Sequence, residues 1–489
     1  MRALTLVLSA AWLVLLSSCT DFDALTRGQV DLGADAAVVL DLAADQAAPT
    51  ADLEVVIDAG SCTDVACGGA CPACDVGDVC LVAGDCQTGA CVAGRCELVS
   101  GPPGWVTVGT APTVDTTAPI GRNDLMLGRA PDGSLYAMGG RDGADNELDI
   151  VEKLDPAAGW STSSTLQKKR ALTGVVATRS YLAVLYGLGM NGPQQTIETI
   201  ASTSTFTIQA GLAAIYLAPG AAVGSDGRIY VFGGTDAAGT AMTLAQSFLL
   251  GDTSLVAAAP LTTARADLAS AAGSDGRIYA IGGFVGTTTS LASVEAYTPT
   301  APAWVPAASL PAPRGGAPGV LAPDGRIYVA GGSNLASSEV YASTLAYRSP
   351  TATQPDAWIP TASLASPRWR HGAALGSDGR VYVVAGSSST ALLRTVEAYG
   401  PIVTLSSASK PAGGATTVSG SNFAASAAVK VRLGSATGPV IGTGTTDSTG
   451  ALAAITATIP PGTTAASTRL YVIDQRSRYP VSAAFTVTP

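Results

Sequence analysis

Arginine recurs at one offset along this chain. Arg122, Arg265, Arg314 and Arg368 each stand 18 residues before the second member of a Gly-Gly or Ala-Gly pair, at Gly140, Gly283, Gly332 and Gly386. The same offset from Arg170 falls on Gly187-Leu188, and in the following unit Tyr216 stands where the arginine belongs. A guanidinium stays charged, and its planar fork donates two parallel hydrogen bonds to a carboxylate. Arg122, Arg170, Arg265, Arg314 and Arg368, with Tyr216, are therefore the candidate ligand-binding set, expected to ring one mouth of a central channel and take a carboxylate-bearing ligand. The competing role is internal. The same side chains can brace neighbouring segments through backbone carbonyls or through the recurring Glu152, Glu198, Glu295, Glu339 and Glu397.

Other chemistries are limited by counting. His371 is the sole histidine, and no cysteine follows Cys96. Metal and haem sites in the arginine-bearing region thus lack most of their usual ligands, and no cofactor or metal is expected. His371 itself, three residues after Arg368, is expected to be a packed strand residue and not a general base. The loops after the glycine pairs are short and made of small or polar residues. Only Arg141–Asp145 and Phe284 offer more, so a deep aromatic-lined substrate pocket is not expected. No polybasic run points to nucleic acid.

The arginines must be positioned by a repeat. Asp226-Gly-Arg-Ile-Tyr-Val-Phe-Gly-Gly234 has near-copies at Asp132–Gly140, Asp275–Gly283, Asp324–Gly332 and Asp378–Gly386. The second glycines lie at 140, 234, 283, 332 and 386, and the first gap is close to twice the next, which leaves room for one decayed copy and makes six units. A period of this size, built from short apolar runs and Gly-rich turns, suits a β-propeller blade of four strands. In the Arg314 unit, Gly319–Ala322 reads as an innermost strand, Pro323-Asp-Gly325 as a tight turn and Ile327–Ala330 as the returning strand. A third strand carries glutamate and an aromatic, as in Val294-Glu-Ala-Tyr297, and a fourth opens on Trp160, Trp304 or Trp358. After Tyr399 the last unit has no tryptophan strand, whereas Trp105-Val-Thr-Val108 is a surplus one at the start. That strand is expected to complete the last blade, which removes an open sheet edge.

Over residues 105–400 the chain resembles the kelch repeat, whose signature is an arginine, a Gly-Gly pair and a spaced Tyr and Trp. The resemblance implies an all-β, six-bladed kelch β-propeller over 101–400. It also implies that the arginine face is where acidic peptides bind in such propellers. Galactose-oxidase-type enzymes share a kelch propeller followed by a sandwich, but their copper site needs histidines and a cysteine-crosslinked tyrosine that this chain lacks. A metal-independent enzyme of the sialic-acid mutarotase kind remains as the enzymatic alternative.

The flanking segments have their own compositions. Met1-Arg2, an apolar run to Leu16 and Leu16-Ser-Ser-Cys19 resemble a bacterial lipoprotein signal peptide over 1–18, with Cys19 the lipidated residue. Thr20 after it favours the outer membrane by resemblance to Gram-negative sorting. Residues 19–60 carry nine carboxylates against Arg27 and read as an acidic low-complexity tether. Residues 61–100 hold Cys62, Cys67, Cys71, Cys74, Cys80, Cys86, Cys91 and Cys96, an N-terminal disulfide-rich knot expected of an exported segment too small to build a core. Zinc at Cys71 and Cys74 is the competing chemistry. The formal charge of −10 belongs to this stalk, since the remaining residues hold 24 basic and 23 acidic side chains. From Pro401, Thr/Val/Ala strands between Gly, Ser and Pro turns read as a C-terminal β-sandwich of six or seven strands over 401–489, similar to immunoglobulin-like modules. The assembled expectation is an exported, lipid-anchored binding or scaffolding protein for a protein or glycan ligand, in the outer membrane or at the cell surface, with catalysis the alternative.

Overall fold

A computed structural model describes residues 104–110, 121–155, 159–201, 206–209, 216–252, 254–350, 355–424, 426–475 and 479–489. It adds two short strand pairs, Val38–Leu40 with Val55–Ile57 and Cys91–Val92 with Arg95–Cys96. The leader, Cys19, Cys62, Cys67, Cys71, Cys74, Cys80 and Cys86 lie outside the described residues. The chain divides into two compact units, Met1–Glu97 and Leu98–Pro489. No helix among the described residues is long and apolar enough to cross a membrane.

Among the described residues of Leu98–Pro489, the regular secondary structure is all β-strand. Its most buried runs are Leu135–Met138, Leu182–Leu185, Ile229–Phe232, Ile278–Ile281, Ile327–Ala330 and Val381–Val384, each buried at every position. They are apolar throughout because both faces pack on protein. All but Leu182–Leu185, which follows the Thr178–Tyr181 turn, return from a first strand across an Asp-Gly turn, and that turn is tied by its own sequence. The aspartate accepts a hydrogen bond from the tyrosine hydroxyl four residues on, at 2.9 Å for Tyr230 to Asp226, 2.7 Å for Tyr279 to Asp275 and 2.8 Å for Tyr382 to Asp378.

Six four-stranded antiparallel sheets result, here blades 1 to 6 in the order of their first strands. Blade 6 consists of Gly372–Leu375, Val381–Val384, Thr395–Tyr399 and the amino-terminal Trp105–Thr110. Trp105 lies opposite Tyr399, with ring centroids 5.4 Å apart, so the surplus strand closes the propeller as its sequence implied. Blade 3, which lacks the tryptophan, keeps a fourth strand of only two exposed residues, Val256–Ala257.

A closed cycle of hydrogen bonds joins each blade to the next. The second residue of each glycine pair donates its N–H to the carbonyl of the next motif arginine or its Tyr216 substitute: Gly140 to Arg170, Gly187 to Tyr216, Gly234 to Arg265, Gly283 to Arg314, Gly332 to Arg368 and Gly386 to Arg122. In four blades the first residue of the pair is a glycine lying close to that same carbonyl, and a Cβ at Gly282 would stand 2.3 Å from the Arg314 oxygen; Tyr186 and Ala385 hold this position in blades 2 and 6. In blade 2 the pair is Tyr186-Gly187, one residue earlier than Gly187-Leu188. Its turn closes from Thr178 N–H to Tyr181 O, three residues on, where the other blades close over four, as from Gly273 to Arg277.

The carboxy-terminal residues form a three-stranded sheet and a five-stranded sheet. Eight strands are present where six or seven were expected, and Ser409–Pro411 and Val440–Thr445 are polar or Gly-rich enough to escape an apolar-run criterion. Val418 and Ala457 from one sheet meet Val431, Val472 and Phe485 from the other in a single core. That core runs on into the propeller through Tyr328, Tyr399 and Tyr479. The Tyr479 hydroxyl donates to Gly379 O at 2.8 Å, and Asn422 Nδ2 donates to Gly400 O at 2.9 Å and Gly104 O at 2.8 Å. The sandwich is therefore fastened to blade 6 at its Asp-Gly turn, away from the arginine end.

Candidate functional site

The motif arginines form no open mouth. Arg122, Arg170, Arg265, Arg314 and Arg368 are all buried, Arg170, Arg265 and Arg368 completely. Their hydrogen bonding explains why. Arg170 Nη1 donates to Tyr186 O and Thr196 O, Nη2 donates to Thr196 Oγ1 and to Glu198 Oε1 at 2.5 Å, and Nε reaches Lys168 O. All five donors of a guanidinium are thereby committed inside one blade. Arg265 repeats the pattern with Gly282 O, Ser293 and Glu295, and Arg368 with Ala385 O, Thr395 and Glu397. Arg122 pairs with Glu152 at 2.7 Å. Glu198, Glu295 and Glu397 in turn accept backbone N–H groups from the preceding linker, as Glu198 does from Gln167 and Lys168. These residues brace the blades, and the expected carboxylate-binding ring of Arg122, Arg170, Tyr216, Arg265, Arg314 and Arg368 is corrected on that ground: no donor is left in the complete braces for a ligand.

Two blades depart from the rule in instructive ways. Tyr216 is buried in the arginine's place and donates its hydroxyl to Gln246 Oε1 at 2.6 Å, so a neutral pair replaces the ionic one. Blade 5 has Leu345 in the register position that Glu295 holds in blade 4. Glu339, expected as its brace, lies exposed on a two-stranded hairpin instead. Arg314 keeps its carbonyl and hydroxyl partners, Gly331 O and Ser343, and lies over the Tyr341 ring at 4.3 Å. Burial without a paired carboxylate pulls its pKa down to about 10.

The groups that do face the channel stand two residues later. Asp124, Leu172, Ala218, Asp267, Gly316 and Arg370 all have left-handed backbone, φ 49° to 68°, and all line one cavity of about 150 Å³. Five of their amides run along the rim: Asp124 N–H donates to Arg370 O, Ala218 to Leu172, Asp267 to Ala218, Gly316 to Asp267 and Arg370 to Gly316. In these five the left-handed conformation turns the amide to the carbonyl of the preceding blade. Side chains at this offset are thus delivered to the channel end, while those two residues earlier are buried.

Three of the six are charged. Arg370 Nε lies 3.3 Å from Asp124 Oδ1 and 3.2 Å from Asp267 Oδ2. It reaches both because Gly316, between the two blades, has no side chain; a Cβ there would meet Arg370 Cγ at 3.5 Å and Trp369 Cε3 at 3.0 Å. The Arg370 guanidinium lies over the Trp369 ring at 4.3 Å, and Trp369 packs edge-on against Phe284. Its Nη1 and Nη2 donate no hydrogen bond within the described residues and are not buried. Arg141 Nη1 adds a second positive charge 3.7 Å from Asp124 Oδ2. Asp124 is buried, and that burial pushes its carboxyl up to about 6 against the pull of Arg370; Asp267 and Asp145 work in the same direction as burial. His371 also lines the cavity, but burial and the nearby Arg368 charge lower its pKa to about 3, so it is neutral at physiological pH. No group of three or more His, Cys, Asp or Glu suited to a metal ion occurs among the described residues.

The arrangement offers a fixed guanidinium fork beside a carboxyl that titrates near neutrality, in a space the size of one end group. The Arg141–Asp145 loop and Phe284 were legible in the sequence as unusual rim residues. Asp124, Asp267 and Arg370 were not, although each stands two positions after a motif arginine. The change of residue type from blade to blade at this offset hid a shared backbone position.

The Kelch motif model matches residues 267–311, one repeat of the propeller. No curated protein matches the chain. Among solved structures, the chain is similar to one described as "Structure of YjhT" at 13% identity and TM-score 0.48, covering 59% of this chain and 96% of that one. It is also similar to a fungal alcohol oxidase of the AA5 family in complex with copper, at 16% identity and TM-score 0.46, covering 80% of this chain and 100% of that one.

Proposed function

We propose that this chain is an exported, lipid-anchored binding module, in the outer membrane or at the cell surface, whose propeller takes a carboxylate-bearing group of a protein or glycan ligand at Arg370. The observation that carries the reading is the Arg370 side chain: Nε is fixed by two aspartates, one face is covered by Trp369, and both terminal amino groups remain accessible. A guanidinium held in one orientation loses little freedom when it accepts a carboxylate, which favours affinity. Titration of the full-length chain with sodium acetate and N-acetylglycine, against N-acetylglycinamide, tests it. The acids bind and the amide does not, and Arg370→Met lowers acid affinity about tenfold or more with melting within a few degrees of wild type. Unchanged acid binding in the variant defeats the assignment.

The anchor is the Cys19 part of this reading, and it rests on the leader sequence. A second acyl chain is what turns marginal membrane binding into stable anchoring. Cys19→Ala is expected to release the protein from membranes or to block its processing, and unaltered membrane fractionation removes the anchor from the account.

One observation favours a second reading, proton transfer on a sugar acid of the sialic-acid mutarotase kind. Asp124, pushed to about 6 inside the cavity, is suited to exchange a proton near neutral pH. Acceleration of anomer exchange in N-acetylneuraminic acid, lost in Asp124→Asn, supports it, and no acceleration rejects it.

A further inference from the structure

The charged groups occupy only part of the mouth. In ring order the six left-handed residues are Asp124, Leu172, Ala218, Asp267, Gly316 and Arg370. Aspartates and arginine come from blades 4, 6 and 1. Blades 2 and 3 contribute Leu172 and Ala218, both partly exposed at the cavity. Pro219 and Val175 line the cavity on the same side, and the Thr173 hydroxyl there is itself buried. In a six-membered ring Ala218 stands opposite Arg370, and Leu172 opposite Gly316. A guanidinium fork therefore faces hydrocarbon across a narrow space.

Both apolar residues hold a backbone conformation that disfavours side chains, φ 53° at Leu172 and 49° at Ala218. Glycine occupies this position in blade 5 without such a cost. The apolar surface thus sits where local backbone preference argues against it. The cavity volume of about 150 Å³ corresponds to about five water molecules of liquid. That holds a carboxylate and one small apolar substituent. A sugar ring would turn hydroxyls toward Leu172 and Ala218, where they would give up water without a replacement partner.

Building on the carboxylate reading, we infer that the mouth selects a carboxylate with an apolar group on the adjacent carbon, the carboxylate on Arg370 and the apolar group against Leu172 and Ala218. This chemistry is shared by the C-terminus of a peptide ending in a small apolar residue and by a free branched-chain acid. Gly316 is part of the selection, because it leaves Arg370 free to be held from both sides by Asp124 and Asp267.

Calorimetric titration of the full-length chain tests the inference with N-acetyl-L-valine, N-acetylglycine and galacturonic acid, and compares Gly-Gly-Val with isovalerate to distinguish peptide end from free acid. N-acetylvaline is expected to bind about tenfold more tightly than N-acetylglycine or galacturonate, as partial burial of an isopropyl group implies. Leu172→Asn reduces that preference to less than about threefold. Asparagine tolerates left-handed backbone better than leucine, so this variant is expected to fold. Ala218→Asn is the second variant and acts in the same direction. Equal binding of N-acetylvaline and N-acetylglycine, or a preference that survives both substitutions, overturns the apolar half while leaving Arg370 in place. Failure of every acid to bind, or Arg370→Met without effect on N-acetylglycine, overturns the carboxylate reading and this inference together.

Discussion

Arg368 and Arg370 are two residues apart on one segment and belong to different regions of the molecule. Arg368 is wholly buried and spends every donor on Glu397, Thr395 and backbone carbonyls of its own blade. Arg370 is partly exposed, is held through Nε alone and keeps its fork open. The same contrast recurs around the propeller, between a ring of braces and a ring of channel-facing residues. Repetition of a charged residue at a strict offset records a structural job done once per blade. A residue that differs from blade to blade at an equally strict offset is where a ligand can be recognised, because recognition needs asymmetry.

The comparison breaks first if the braces depend less on closure than this account holds. Removing residues 105–110 takes the fourth strand from blade 6 and Trp105 from its contact with Tyr399, and also the Trp105 Nε1 hydrogen bond to Thr344 Oγ1. The loss is about 3–5 kcal/mol for the aromatic alone. A shortened chain that melts like the parent would mean that the blade-to-blade hydrogen bonds close the ring by themselves.

Next in size are the braces. Arg170→Met leaves Glu198 buried without its cation and is expected to cost about 3–5 kcal/mol. Arg314→Met strands no buried glutamate, only the Gly331 and Ser343 acceptors, and is expected to cost about 1–2 kcal/mol. Chemical denaturation of the two variants decides the matter. Equal losses would show that the carbonyl contacts, and not the ion pair, carry the brace.

A pH effect sharpens the other side of the comparison. Asp124 titrates at about 6 when folded and near 3.8 when unfolded, so its share of stability is fully present below the lower value and is lost as pH rises through about 6. Asp124→Asn removes that loss. The stability of the variant relative to wild type is expected to rise between pH 4 and pH 7, as measured by melting across that range. A constant difference would place Asp124 in a solvated setting, contrary to its burial beside Asp267 and Arg370.

Much of the propeller was determined by the sequence by itself. The repeat of Asp-Gly-Arg-Ile-Tyr with a glycine pair is local chemistry: the aspartate ties its own turn, and glycine stands where the next blade's carbonyl approaches. Such constraints act within a few residues or repeat every blade, so they survive as pattern. Trp105 also announced its place, because a four-strand unit without its fourth strand at one end matches a strand without its unit at the other. Tertiary structure alone decided what the arginines do. Their offset is the same whether they point into a mouth or into a blade, and only the packed position of Glu198, Glu295 and Glu397 fills their donors. It also decided the site. Asp124, Asp267 and Arg370 lie on three blades, separated by up to 246 positions in the sequence, and share only their offset from the motif arginines. Closure of the ring brings them together, and the absent side chain at Gly316 lets them touch.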